Sequence, residues 1–334
     1  MRHPFVRIQC KPQTGMVFES RGEVYTLEGK LGNGAVGLVR RARARSTHRA
    51  VAVKFLAPDP KYIDVSAFDD VGERFRREGL RGAALRHEHL VEIIAYEDNT
   101  NGKCFRSGHP KNPFIIMEYV RGRTLESLIR NLEVRADGGV HLTRQTLAIA
   151  AAITSALLHL HERKIIHRDV KPANVYISSP QVGTIPSQVK LGDFGVTKWG
   201  DFLAAVTTGT LTMTSQKGLG TLKYMSPEQA VRPRDVTVRS DMFSLGITLF
   251  ELFTGALLPG PHHVFEIMTA RNMRTSLAGK LMPLGIRRLS PSDETILEPV
   301  LEMFSAASGR PTSRQMAGRF SFALDRLNAA TADG

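Results

Sequence analysis

The densest run of reactive side chains is Ile166-His167-Arg168-Asp169-Val170-Lys171-Pro172-Ala173-Asn174-Val175. Asp169 can accept the proton of an incoming hydroxyl. Lys171 can neutralise a transferring phosphate. Asn174 offers an amide oxygen, a donor of the kind that Mg²⁺ prefers. The bland reading is a polar loop between a helix and a strand, and the full string argues against it. Farther along lies Leu191-Gly192-Asp193-Phe194-Gly195. An Asp just after a strand, followed by an apolar anchor and a Gly hinge, suits a metal ligand on a movable segment.

Three more constellations carry charge or glycine where each needs a reason. Leu31-Gly32-Asn33-Gly34-Ala35-Val36-Gly37-Leu38-Val39 is a Gly-rich run whose backbone can fold over phosphate groups. By itself it also fits a hairpin turn or a dinucleotide loop. No GK[ST] follows, which excludes a Walker A loop, and the strand that follows argues against the dinucleotide fold. Val51-Ala52-Val53-Lys54 puts a Lys inside an apolar strand, costly unless the ammonium is paired or reaches water. Glu78 and Glu73 compete as partners from one helix, with Glu78 preferred. In Gly220-Thr221-Leu222-Lys223-Tyr224-Met225-Ser226-Pro227-Glu228, followed by Asp241, Glu228 can pair with a buried Arg, and Arg310 of Gly309-Arg310-Pro311 is the candidate, although any of these charges alone reads as a solvated surface residue.

The elements that must hold these groups fall into two kinds. From Tyr25 to Phe55 the chain reads as strand, Gly-rich turn, strand, basic turn, strand. Residues 66–86 read as a helix, with Phe68, Val71, Phe75, Leu80, Ala84 and Leu85 recurring at helical spacing. Strands follow around Leu90–Tyr96 and Phe114–Tyr119, separated by a long loop over Asp98–Pro113. Past Val120 helices dominate, at Leu147–Arg163, Val238–Thr254 and Ser292–Phe304, with short strands near Val175–Ile177 and Val189–Leu191. The expected organisation is an N-terminal extension at 1–22, a small β-rich lobe at 23–118, a larger helical lobe at 119–325, and a flexible tail at 326–334. The fold class is α+β.

The composition bounds the partners. Of 334 residues, 42% are hydrophobic and 23% charged, enough apolar material for a substantial core. The formal net charge is +13. The basic run Arg40-Arg41-Ala42-Arg43-Ala44-Arg45 has no interleaved aromatics to stack bases, so nucleic acid is not an expected partner. Cys10 and Cys104 have neither metal-ligand spacing nor a nearby His cluster, which fits a reducing cytoplasm. The N-terminus lacks the apolar core of a signal peptide. The apolar stretches Leu147–Leu160 and Met242–Leu258 are, respectively, too short for a membrane span and interrupted by Glu251. No transmembrane segment is expected.

Together and in this order, the motifs resemble the eukaryotic-type (Hanks-type) protein kinase family over about residues 22–322. The Ser226-Pro227-Glu228-Gln229 and Met117-Glu118-Tyr119-Val120 segments look most like bacterial Ser/Thr kinases. The resemblance implies a bilobal kinase-like fold and transfer of the γ-phosphate of ATP to Ser or Thr hydroxyls of proteins, with Mg²⁺, or Mn²⁺ in its place. It implies that Leu31, Gly32, Gly34, Gly37, Val39 and Ala52 enclose ATP, and that Lys54 holds phosphates while pairing with Glu78. Met117 becomes the gatekeeper, and Glu118 and Val120 offer backbone hydrogen bonds to adenine. Asp169 becomes the catalytic base, Lys171 its assistant, and Asn174 and Asp193 the metal ligands. Arg168, Thr221, Glu228, Asp241 and Arg310 take structural roles. Thr212, Thr214 and Ser215 become candidate phosphorylation sites that would gain charge-assisted bonds to Arg168. A homodimer through the first lobe also follows from the resemblance.

Some features depart from the family. Val36 stands at the loop tip where an aromatic residue is common. Ser226 replaces a commoner Ala and reads as neutral. Ser178–Gln188 is an expanded turn, and the region after Gly255 matches less clearly. Two rivals remain: a pseudokinase scaffold, which needs an occluded ATP pocket, and a kinase-fold enzyme acting on a small molecule. The Ser226-Pro227-Glu228 segment and the Thr-rich loop argue against the second.

Overall fold

The structure is a computed structural model and describes residues 12–33, 37–58, 68–101, 103–106, 111–132, 140–178, 185–193, 223–231, 235–255, 257 and 291–329. The fold is α+β, and the chain divides into two compact units.

The first unit is a six-stranded antiparallel sheet with one long helix. Its strands are β1 (Val17–Ser20), β2 (Glu23–Asn33), β3 (Gly37–Ala44), β4 (Ala50–Leu56), β5 (Ile93–Glu97) and β6 (Phe114–Glu118), in the order β1-β2-β3-β4-β6-β5. Helix α1 (Phe68–Gly82) buries Phe68, Val71, Phe75 and Glu78. Side chains alternate along a strand. In β4, Val51, Val53 and Phe55 enter an aromatic core with Phe18, Tyr25, Phe105 and Phe114. Ala52 and Lys54 therefore point to the opposite face.

The first unit corrects two expectations. Val17–Ser20, assigned to an N-terminal extension, is a strand paired with β2 through Val17↔Thr26 and Phe18↔Tyr25. Its Phe18 ring lies 5.1 Å from Tyr25, 5.1 Å from Phe114 and 5.2 Å from Phe105. The Asp98–Pro113 loop holds a buried anchor, since Phe105 bridges Phe18 and is buried. Leu80, placed on the apolar stripe of the helix, is 47% exposed. The buried face of α1 runs through 68, 71, 75, 78 and 82, and position 80 falls off that stripe.

The second unit is mainly helical. Its strands β7 (Arg123–Thr124), β8 (Val175–Ile177) and β9 (Val189–Leu191) form a small antiparallel sheet. The helices are α2 (Leu125–Arg130), α3 (Arg144–Glu162), α4 (Pro227–Val231), α5 (Val238–Thr254), α6 (Pro291–Glu302) and α7 (Ser313–Ala329). A Thr143–Thr146 capping box starts α3. Helix α5 starts at Thr237, whose hydroxyl accepts from the Arg239 N–H, and stops at Gly255 with φ 71. From Ser240 onward all of α5 is buried, so it is the central post of this unit. Residues 326–329, expected in a flexible tail, continue α7, which packs along α3. Among the described residues no helix is long and apolar enough to cross a membrane.

Candidate active site

In the first unit, register places the nucleotide-facing candidates side by side. Val39 is opposite Lys54, and Ala52 is opposite Met117. Lys54 Nζ meets Glu78 Oε1 at 2.7 Å, and both residues are buried. Glu73, the competing partner, faces outward and pairs with Arg77 at 2.9 Å. The difference is one of helical face: Glu78 lies on the buried stripe of α1 and Glu73 does not. Gly32 pairs with Val39 near the hairpin tip, and Leu31 is exposed. Gly37 sits where an added Cβ would come within 2.2 Å of the Phe55 carbonyl, so β3 closes on β4 only without a side chain there. Glu118 is tied to the residue before β5: its N–H donates to the Glu92 carbonyl, and its Oε1 accepts from the Glu92 N–H. Gly34 lies outside the described residues.

In the second unit, the chain from α3 to β9 folds the polar string into one buried cluster. Asp169 Oδ1 is 2.9 Å from Lys171 Nζ. Asn174 Nδ2 donates to Asp169 Oδ2 at 2.9 Å and to the Asp169 carbonyl at 2.8 Å. The Asn174 amide therefore turns its oxygen away from Asp169. The 3-10 turn Pro172–Asn174 makes this reach short, and the Gly192 N–H donates to the Asn174 carbonyl, tying the turn to the segment that carries Asp193. Val120, expected at the adenine edge, is half-buried at the start of this unit.

Two residues here hold left-handed backbone, Arg168 with φ 67 and Asp193 with φ 56. Such conformations persist where the surroundings over-determine them. For Arg168 the cause is visible. Asp241 accepts the Arg168 N–H on Oδ1 at 2.7 Å and the His167 N–H on Oδ2 at 2.8 Å. His161 Nε2 adds a third contact to Oδ2 at 2.9 Å, and with that N–H donating, Nδ1 accepts from the Ser313 hydroxyl at 3.0 Å. His167 accepts the Asp169 N–H on Nδ1, so its proton sits on Nε2 and faces the Gly192 carbonyl at 3.2 Å. Burial pushes the His167 imidazole below its ordinary value, outweighing the nearby carboxylates that raise it.

The remaining predicted pair also meets. Arg310 grips Glu228 at two points, with Nη2 donating to Oε2 at 3.0 Å and Nη1 to Oε1 at 2.5 Å. Ser240 Oγ donates to the same Oε1 at 2.7 Å. Burial acts to raise this carboxyl, but the bonds from Arg310 and Ser240 win and hold it at about 2. Thr212, Thr214, Ser215 and Thr221 lie outside the described residues.

Sequence reasoning missed His161, Ser313 and a buried cluster formed just before α4. There Lys223 Nζ meets Glu251 Oε1 at 2.5 Å and the Tyr224 hydroxyl donates to Glu251 Oε2 at 2.7 Å. Only the Glu251 position within an apolar run hinted at the second. Among the described residues no group of three or more His, Cys, Asp or Glu forms a metal cluster. The oxygens of Asn174 and Asp193 are hard donors of the type that suits Mg²⁺ held jointly with substrate phosphates.

Comparison with known proteins gives a consistent result. Residues 25–316 match the protein kinase domain model. The serine/threonine-protein kinase PknB of Mycobacterium leprae is 38% identical over 235 residues, covering 69% of this chain and 32% of the relative. The probable serine/threonine-protein kinase PknB of Bifidobacterium longum is 34% identical over 266 residues, covering 77% of this chain and 35% of the relative. The chain thus spans about a third of the length of these relatives. Among solved structures, the Mycobacterium tuberculosis PknI kinase domain superposes with TM-score 0.59 at 24% identity, covering 94% of this chain and 100% of that one. This last likeness concerns the fold.

Proposed function

Because the chain belongs to the protein kinase family, we propose that it is a Ser/Thr protein kinase that moves the γ-phosphate of ATP to hydroxyls of protein substrates. The observation that carries the reading is the buried Asp169–Lys171–Asn174 cluster, held on a catalytic loop whose backbone is pinned by Asp241.

In this reading the Ser or Thr oxygen forms a bond to the γ-phosphorus while the bond to the β,γ-bridging oxygen breaks and ADP leaves. Asp169 Oδ accepts the hydroxyl proton. Lys171, on Asp169 Oδ1, keeps that carboxylate oriented and offsets charge on the transferring group. Lys54, fixed by Glu78, holds the phosphates; Gly32, Gly34 and Gly37 cover them; Leu31, Val39, Ala52, Met117, Glu118 and Val120 surround the base. Asn174 and Asp193 would hold Mg²⁺, or Mn²⁺, which would supply positive charge to neutralise the phosphates. Thr212, Thr214 or Ser215 receives phosphate by autophosphorylation, with Arg168 as its partner. A cytoplasmic location completes the proposal, supported by the need for ATP and by the free thiol of Cys104.

The test is incubation with Mg²⁺ and γ-labelled ATP beside Asp169→Asn, followed by phosphosite mapping. Label on Thr212, Thr214 or Ser215 in the wild type alone is the expected result. No label in either protein, with ATP still bound, would overturn the reading in favour of a scaffold.

A further inference from the structure

Gln229 has no part in the reaction just described, yet it is 2% exposed and both ends of its amide are engaged. Its Oε1 accepts from the Ser226 N–H at 3.2 Å and from the Ser226 hydroxyl at 3.1 Å. Ser226 Oγ in turn accepts the Gln229 N–H at 3.3 Å. This reciprocal box settles which end of the amide is oxygen. The amide nitrogen is left pointing at the catalytic loop, where Nε2 donates to the Arg168 carbonyl at 3.3 Å.

That carbonyl belongs to the peptide group joining Arg168 to Asp169. The other end of the same peptide group, the Asp169 N–H, donates to His167 Nδ1 at 3.3 Å. The plane is thus held at both ends, next to a residue in left-handed backbone. A rotation of this plane would swing the Asp169 side chain, because it turns the bond from which that residue hangs.

We propose that Gln229, oriented by Ser226, is a positioning residue for Asp169, acting by locking the Arg168–Asp169 peptide plane. The proposal rests on the kinase reading above. It also changes the status of Ser226. Alanine there would remove one donor to Gln229 Oε1 and the acceptor of the Gln229 N–H, so the serine is coupled to Gln229 and is not a neutral replacement.

The test compares Gln229→Met, Ser226→Ala, Ser226→Thr and the double variant Ser226→Ala/Gln229→Met. Phosphate transfer to myelin basic protein gives kcat and the KM for ATP, and hydrogen exchange by mass spectrometry reads the catalytic-loop peptide. Gln229→Met is expected to lower kcat about tenfold, as loss of one buried hydrogen bond at a reacting centre would. The KM for ATP stays unchanged, and exchange quickens in the 166–170 peptide but not in α5. Ser226→Ala is expected to lower kcat severalfold, Ser226→Thr to restore it, and the double variant to be no worse than Gln229→Met. Unchanged kcat or unchanged loop exchange in Gln229→Met overturns the proposal. So does a fall in kcat that tracks a lower melting temperature and a higher KM for ATP, since that is a structural effect alone. A wild type that transfers no phosphate sinks the kinase reading, and the exchange comparison then still decides the claim about the peptide plane.

Discussion

The Asp241 carboxylate accepts the backbone N–H of Arg168 at 2.7 Å, and Arg168 is held there with φ 67. The same carboxylate takes the His167 N–H and a contact from His161. An amide of the same shape has only one oxygen and would set an N–H against one of those donors. Asp241→Asn is therefore expected to lose about 1.5–3 kcal/mol of stability, the usual range for a hydrogen bond to a charged group. It should also let Arg168 relax toward right-handed backbone and lower kcat more than affinity for ATP. Denaturant unfolding combined with steady-state kinetics checks both parts. A variant with wild-type stability and kcat would show that the catalytic loop does not depend on this anchor.

The Lys54–Glu78 contact of 2.7 Å joins a strand to a helix inside a buried setting. Removing one partner leaves a buried charge uncompensated, which costs more than the pair itself contributes. Glu78→Gln keeps the volume and an acceptor oxygen but removes the charge. It is expected to lower phosphate transfer strongly while keeping the fold. Lys54→Met is expected to lower transfer by several orders of magnitude, because the phosphates lose their cation. Label transfer, with circular dichroism as the control for folding, reads the difference. Equal activity in wild type and Lys54→Met would remove Lys54 from the phosphate site.

Gly32 and Gly37 are two glycines of one motif with different reasons to exist. A Cβ on Gly37 would meet the Phe55 carbonyl at 2.2 Å, whereas a Cβ on Gly32 meets nothing within 4 Å. Gly37→Ala should therefore lower the melting temperature even without nucleotide, because β3 and β4 must part. Gly32→Ala should leave the melting temperature unchanged and weaken ATP binding, its cost being felt only when phosphate approaches the backbone. Thermal melts with and without ATP separate the two. Equal melting temperatures for the two variants would contradict the packing argument.

What was legible in the sequence was local. The polar string from Ile166 to Val175 folds within its own turn, so Asp169, Lys171 and Asn174 can be read together from spacing alone. The bounds of Val175–Ile177, Val189–Leu191 and Val238–Thr254 agree with the observed elements for the same reason. Lys54 needs a partner from elsewhere, and the sequence offers Glu78 ahead of Glu73; the buried face of α1 gives the physical cause. What stayed hidden was long-range and short-stranded. Phe18 sits in a strand of 4 residues, too brief for alternation to show, and its neighbour Phe105 lies within a stretch rich in turn residues. His161 meets Ser313 across 152 positions and Gln229 meets Arg168 across 61, distances over which no periodicity carries information. Leu80 misleads because it is apolar and near the helical spacing, yet it falls off the buried stripe of α1.

The Glu228–Arg310 pair makes stability depend on acid in a defined window. The folded carboxyl is held at about 2 against an ordinary value of 4.5. Between those values the unfolded chain binds a proton that the folded chain does not, so stability rises with pH through this range and is level above it. The contribution is fully present above about pH 5.5 and is lost as pH falls toward 2. The shift, 4.5 minus about 2, corresponds to about 3–4 kcal/mol at most. Glu228→Gln cannot gain or lose this proton. It leaves Arg310, buried and over the Phe243 ring at 4.9 Å, facing a neutral amide. Wild type is therefore expected to be the more stable protein at neutral pH by a few kcal/mol, with the gap narrowing as pH falls from 5 to 3. Urea unfolding of both proteins across pH 7 to 3 measures it. A gap that stays constant over that range would mean that the geometry of the contact, and not the charge on Glu228, secures α4 to the segment carrying Arg310.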